Sequence, residues 1–144
     1  MATVPPTRKN PRVALVEDDD TLALLLRYNL EAAGCAVAWF DRGDDAAKRI
    51  ISDPPDLVIL DWSVPGLAGI EVLRRIRADA RTRLLPVAML TARTDPADRH
   101  RAESHGADAY ILKPFSVREA MMELLRLLRP RGRAEAEPAL QSEA

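Results

Sequence analysis

Asp61 ends an aliphatic run, Asp56-Leu57-Val58-Ile59-Leu60-Asp61. A short apolar stretch bounded by turn residues predicts a buried strand of a parallel sheet. Open α/β folds place ligands at the carboxyl edge of such a sheet, where this carboxylate would stand. Three other segments repeat the arrangement. Arg12-Val13-Ala14-Leu15-Val16 runs into Glu17-Asp18-Asp19-Asp20, Leu85-Pro86-Val87-Ala88-Met89-Leu90 into Thr91, and Asp108-Ala109-Tyr110-Ile111-Leu112 into Lys113-Pro114. If these strands are parallel neighbours, acids, a hydroxyl and an ammonium converge on one rim. That set can hold a divalent metal and a phosphoryl group. Asp18 and Asp61 offer the hard oxygens that magnesium takes, with Glu17 acting through water and the remaining positions left to a backbone carbonyl, waters and substrate oxygens.

Taken singly, each of these residues has an ordinary explanation. An acidic run is favoured at a helix N-terminus, which accounts for Asp19 and Asp20 but not for Asp61. Lys113 could be a surface lysine, although the chain has lysine only at Lys9, Lys48 and Lys113. Its bond to Pro114 can be cis, which would aim the side chain across the rim. Thr91 could cap a turn, and Tyr110 could be a core aromatic with a wet tip. The signal is that all of them fall at the same sheet edge. His100 and His105 lie in a polar helical stretch without a Cys or acid at ligand spacing, so they are read as solvated. No phosphate-binding glycine loop, nucleophile elbow or zinc-protease motif is present.

The elements that must position the rim follow from alternation of short apolar runs with amphipathic stretches, the mark of βαβ units. Strands are expected near 12–17, 35–40, 56–61, 85–90 and 108–112, and helices near 20–33, 44–52, 68–79, 95–105 and 116–129. Gly34 stops the first helix, and Asp53-Pro54-Pro55 ends the second. The fourth has Asp95 as cap, Pro96 at its first position and Gly106 just beyond its end. Ser116-Val117-Arg118-Glu119 is a capping box for the fifth. In that last helix Met121, Leu124, Leu125 and Leu128 recur at core-facing spacing, with Met122 and Leu127 off the stripe. The first helix has more leucine (Leu22, Leu24, Leu25, Leu26, Leu30) than one buried face can use. The fourth has only Ala97 and Ala102 to bury, so it should be weakly anchored.

The 144 residues allow one domain, read as residues 12–129 between a proline-rich flexible arm (1–11) and a disordered tail (130–144). A net charge of −1 gives no global electrostatic case for nucleic-acid or membrane binding. The single Cys35 excludes an internal disulfide and sits in an apolar run as a buried structural thiol. With no stretch of transmembrane length and no apolar leader, the expected location is the cytoplasm.

Four motifs resemble one family closely: Val16-Glu17-Asp18-Asp19, Leu60-Asp61-Trp62-Ser63-Val64-Pro65-Gly66, Leu90-Thr91-Ala92-Arg93, and the run Gly106 to Phe115. Together they resemble a two-component response-regulator receiver domain of the OmpR/PhoB type, over about residues 12–129. The resemblance implies a doubly wound (βα)5 fold, flavodoxin-like, with a five-stranded parallel sheet in the order 2-1-3-4-5. It implies Asp61 as phosphoacceptor and one Mg2+ held by Asp18, Asp61, the Ser63 backbone carbonyl and, through water, Glu17. Thr91 and Lys113 would meet the phosphoryl oxygens, and Thr91 and Tyr110 would form the switch. The phosphoryl donor would be a sensor histidine kinase or phosphotransfer protein.

The surplus leucines of the first helix mark a docking face, here Leu22, Leu25 and Leu26 with Pro114 and Phe115. Arg99, Asp108, Glu119 and Met122 would form the output surface. In receivers of this type that surface carries a charge-paired dimer, but Ala109 stands where an acid is usual and Glu123 where a basic residue is usual. The expectation is therefore a monomer or a weak phosphorylation-linked dimer. Two rival readings compete with this one. One is the receiver half of a transcriptional regulator, in which case this chain alone would not bind DNA because the residues after Arg129 are too few for a winged helix. The other is a Mg-dependent aspartyl phosphohydrolase, disfavoured because Ser63 stands where such an enzyme needs a second acid.

Overall fold

The aliphatic runs form the strands β1 (Arg12–Val16), β2 (Ala36–Phe40), β3 (Leu57–Asp61), β4 (Val87–Thr91) and β5 (Ala109–Leu112). Between and after them come the helices α1 (Asp20–Ala32), α2 (Gly43–Ser52), α3 (Gly69–Ala78), α4 (Pro96–Ser104) and α5 (Val117–Leu127). The computed structural model describes residues 10–129. The expected tail lies outside them, as does the expected arm apart from Asn10 and Pro11. Pro11 already belongs to the sheet, since its carbonyl accepts a hydrogen bond from the Ala36 N–H at 2.8 Å.

All strand pairs are parallel and the order is β2-β1-β3-β4-β5, as expected. Strand alternation splits the core into two layers. Ala14, Val16, Val58, Leu60, Val87 and Met89 face α2, α3 and Ala102 of α4. Val13, Leu15, Leu57, Ile59, Ala88 and Leu90 face α1 and α5. β3 and β4 are buried at every position, so the ends of both strands reach the rim from a rigid base. β2, one of the two edge strands, leaves Ala36 and Ala38 exposed.

Three of the five helix starts, those of α1, α4 and α5, carry side-chain caps. Asp19 accepts from Leu22 N–H at 3.1 Å, Asp95 from Ala97 N–H at 2.9 Å, and Ser116 from Glu119 N–H at 3.2 Å. One expectation is corrected in α5. The buried stripe is Ala120, Leu124 and Leu127, while Leu125 is exposed and Met121 and Leu128 are half-buried. Leu125 and Leu127 flank Leu124 on opposite sides of the helix, and it is the Leu127 side that faces α1 and the sheet. In α4, Ala102 is the only buried residue and Ala97 is exposed. Cys35 is buried, and burial, followed by the Asp56 charge, pushes its thiol pKa up. No described helix is long and apolar enough to cross a membrane.

The lower edge of the sheet is tied by Arg77, near the end of α3. Its guanidinium donates to the carbonyls of Leu85 at 2.7 Å, Gly106 at 2.7 Å and Arg83 at 3.2 Å, and to Asp108 Oδ2 at 3.0 Å. Gly106 makes room for it: its φ is +101°, and a Cβ there would lie 2.7 Å from Arg77 Nε. Beside this tie, Thr82 Oγ1 donates to Ile76 O at 2.7 Å and closes the end of α3.

Candidate functional site

The ends of β1, β3, β4 and β5 meet at the carboxyl edge, as their parallel order requires. Asp61 is 5% exposed; its Oδ1 accepts from the Ser63 N–H at 3.0 Å and its Oδ2 from Lys113 Nζ at 3.0 Å. Lys113 Nζ also lies 3.1 Å from Glu17 Oε1 and donates to Glu17 Oε2 at 3.4 Å. The Lys113–Pro114 peptide bond is cis. Glu17 is fully buried, and its Oε2 accepts from Asp19 N–H at 3.1 Å. The Glu17 backbone is held by β2, since its N–H donates to Phe40 O at 3.0 Å and its carbonyl accepts Trp39 Nε1 at 2.8 Å.

Burial and then the neighbouring Asp61 charge lift the Glu17 pKa to about 7, against the opposing Asp19 N–H and Lys113. Burial works against the Lys113 ammonium, but the hydrogen bonds it donates to Asp61 and Glu17 outweigh it and hold the lysine above its ordinary pKa. Two carboxylates and one ammonium thus share a space that leaves negative charge in excess. Glu17, Asp18 and Asp61 each present an oxygen within 4.8 Å of the others, and Glu17 Oε1 is buried without a hydrogen-bond partner among the described residues. An all-oxygen set of this kind, whose negative charge exceeds that of the one ammonium beside it, fits a hard divalent cation such as Mg2+, which would also reduce the repulsion between Glu17 and Asp61.

Thr91 ends β4 and is buried; its Oγ1 accepts from the Arg93 N–H at 3.0 Å. Tyr110, half-buried on β5, donates its hydroxyl to Arg93 O at 3.0 Å. Around these two stand Trp62, Arg93 and Arg101, to which the motifs assign no role, and Arg99, expected only on the output surface. The Arg93 guanidinium stands 4.7 Å from the centroid of the Trp62 indole and the Arg101 guanidinium 6.0 Å, while that of Arg99 stands 5.4 Å from the Tyr110 ring. The available signal was a tryptophan directly after the strand-end acid in a chain whose fourth helix is rich in arginine.

The expected docking residues divide. Leu22 and Leu25 line an open hollow of about 510 Å³ with Pro114, Phe115 and the stem of Lys113. Leu26 does not belong there: it is 1% exposed, one turn from Leu30 in the core layer. Leu24 and Tyr28 are the exposed apolar residues that complete the outer face of α1. Of the expected output residues, Arg99, Asp108 and Glu119 line one groove together with Glu123, while Met122 is exposed but outside that lining. Asp108 is committed internally, since its Oδ2 accepts from both Arg77 and the Val87 N–H at 2.8 Å.

A parallel five-stranded sheet with an acidic pair, a hydroxyl and a lysine on its carboxyl rim defines a class of phosphoryl-responsive signalling domains. Residues 13–126 match the model of the response regulator receiver domain, and the chain belongs to that family. It is 49% identical over 119 residues to the phosphate regulon transcriptional regulatory protein PhoB of Rhizobium meliloti, covering 83% of this chain and 52% of that protein. It is 37% identical over 120 residues to the alkaline phosphatase synthesis transcriptional regulatory protein PhoP of Bacillus subtilis, covering 83% and 49%. The chain thus spans about half the length of the curated relatives it matches. Among solved structures it is similar to a response regulator of Chloroflexus aurantiacus, with a TM-score of 0.79 at 33% identity, covering 85% of this chain and 100% of that one. It also resembles the receiver domain of the sensor histidine kinase PA1611 of Pseudomonas aeruginosa, which has a magnesium ion coordinated in its active-site cleft. That match has a TM-score of 0.76 at 27% identity and covers 84% and 99% of the two chains.

Proposed function

We propose that this chain is a cytoplasmic, phosphorylation-dependent switch of a two-component system, with Asp61 as the phosphoacceptor. The observation that carries the reading is the Lys113 ammonium, drawn to Asp61 and Glu17 at the mouth of a buried acidic cluster. An Asp61 oxygen attacks the phosphorus of a phosphohistidine on a histidine kinase or phosphotransfer protein. The new O–P bond forms as the P–N bond breaks, and the imidazole leaves with its electron pair. Lys113 faces the oxygens on which negative charge gathers, and Thr91 supplies a hydroxyl to one of them. Asp18, Asp61 and the Ser63 carbonyl would hold Mg2+, with Glu17 acting through water; the ion supplies charge neutralisation. The chain assists its own phosphorylation and dephosphorylation and does not turn over a substrate.

Rotation of Thr91 toward the phosphoryl group empties space for Tyr110, and the change reaches the surface of α4, β5 and α5. The donor docks beside α1 over Leu22, Leu25, Pro114 and Phe115. On the output side, Ala109 and Glu123 favour a monomer or weak dimer, because like charges across an interface are costly.

The test is incubation with acetyl phosphate and mapping of the adduct by mass spectrometry. The expected result is a label on Asp61 that is lost with a chelator and in Asp61→Asn. Robust labelling of that variant would overturn the assignment. Lys113→Ala should keep its fold and its metal affinity but lose the phosphorylation-dependent change in α4 exchange.

A further inference from the structure

α4 has almost nothing apolar with which to hold itself to the sheet, yet two guanidinium groups at its N-terminal approach and on its body share one indole. Trp62 is 4% exposed and cannot follow a moving helix, because its N–H donates to Leu90 O at 3.3 Å and its carbonyl accepts from Gly69 N–H at 2.8 Å. Over this fixed ring stand Arg101 of α4 and Arg93 of the loop before it. Arg93 is also joined to the site: its N–H donates to Thr91 Oγ1, its carbonyl accepts the Tyr110 hydroxyl, and its guanidinium reaches Asp98 of α4 at 3.4 Å. One residue therefore touches the hydroxyl of β4, the aromatic of β5, the helix and the indole next to Asp61.

We propose that Trp62 is the positioning residue that seats α4, through the contacts of its indole with Arg93 and Arg101, and that a phosphoryl group on Asp61 unseats the helix by drawing Arg93 off the ring. The seat stands on the geometry alone; the release rests on the reading of Asp61 as acceptor. A guanidinium gains more from a charge-assisted hydrogen bond to a phosphoryl oxygen than from an aromatic face. Arg93 also cannot stay in place once Thr91, which its backbone holds, turns toward that group. Trp62 thereby gives α4 a connection to the acceptor strand in addition to the Thr91–Tyr110 pair.

Hydrogen exchange of the α4 amides in the untreated protein tests the seat. Arg101→Met keeps the apolar stem and removes the cation, and should speed exchange across 96–104 by about two- to fivefold, the weight of one exposed cation–aromatic contact. Arg101→Lys should stay close to wild type, and the α3 amides should not change in either variant. If Arg101→Met exchanges like wild type, or no faster than Arg101→Lys, the seat is overturned. For the release, the side-chain protons of Arg93 should resonate upfield under the indole and return to ordinary values on addition of Mg2+ and beryllofluoride. Unchanged Arg93 resonances while the Ser63 amide reports an occupied Asp61 would overturn it. If the Ser63 amide is silent too, the acceptor reading fails and the release with it, whereas the exchange arm still decides the seat.

Discussion

α3 and α4 lie on the same face of the same sheet and are held in opposite ways. α3 buries Gly69, Ile70, Val72, Leu73 and Ile76 in the layer above β1, β3 and β4. α4 buries Ala102 alone and is otherwise secured by arginines: Arg93 to Asp98, Arg99 to Glu103 and the Tyr110 ring, Arg101 to Trp62. Apolar burial is short-ranged and cooperative, so α3 can leave only when the domain unfolds. Contacts between exposed ions and rings are weak and individually replaceable, so α4 can shift while the core stays intact. A domain that must change its surface without losing its fold needs both kinds of helix.

The largest test of that contrast is Leu73→Ala. A buried leucine of α3 truncated to alanine should cost about 2–5 kcal/mol, read as a lower urea midpoint in which α3, α4 and the sheet unfold together. Separate loss of α3 would mean that it is not part of the cooperative unit. Next is Gly69→Ala, at the point where α3 starts against the end of β3. A Cβ there would lie 2.2 Å from Asp61 O and 2.9 Å from Trp62 Cα, both backbone atoms with nowhere to go. The expected loss is about 1–3 kcal/mol, accompanied by shifted Asp61 and Trp62 amide signals; a fully tolerated alanine would show the rim to be looser than the distances imply.

Much of this contrast could be read before any coordinates. Five short aliphatic runs and the caps Asp95 and Ser116 mark the elements, and strand-end residues in parallel neighbours must share a rim, so Glu17, Asp61, Thr91 and Lys113 come together without knowledge of loops. The poverty of α4 is likewise a matter of composition. What periodicity could not settle is which part of a broad apolar surface a helix turns inward: in α5 Ala120, Leu124 and Leu127 went in while Leu125 stayed out, and in α1 Leu26 went to the core while Leu24 and Leu25 are exposed. Nor could it show the Arg77 tie or the arginines over Trp62. Those contacts join residues far apart in the chain and depend on where long side chains reach.

Smaller perturbations should separate the helices more cleanly. Asp95→Ala removes the hydrogen bond to Ala97 N–H at the start of α4 and costs about 1 kcal/mol of local stability. Exchange of the α4 amides should quicken while the urea midpoint barely moves; a drop comparable to that of Leu73→Ala would erase the distinction. The gentlest probe is salt. Raising ionic strength should screen the exposed Arg93–Asp98 and Arg99–Glu103 pairs, each worth a few tenths of a kcal/mol. Exchange in α4 should rise slightly and that in α3 should stay flat. Equal responses from both helices would point to a general effect on the fold.

Arg77 would give α4 a fixed hinge in the proposed switch. By clamping the Gly106 carbonyl to the end of α3 and to the turn before β4, it pins the chain just past the C-terminus of α4. The opposite end, at Pro96, follows a loop whose guanidinium rests, among the described residues, on an indole and a half-buried aspartate. A helix nailed at one end and lightly held at the other swings like a door instead of sliding. Its displacement should therefore grow along its length from Ser104 to Pro96, with the widest opening at the end nearest Asp61.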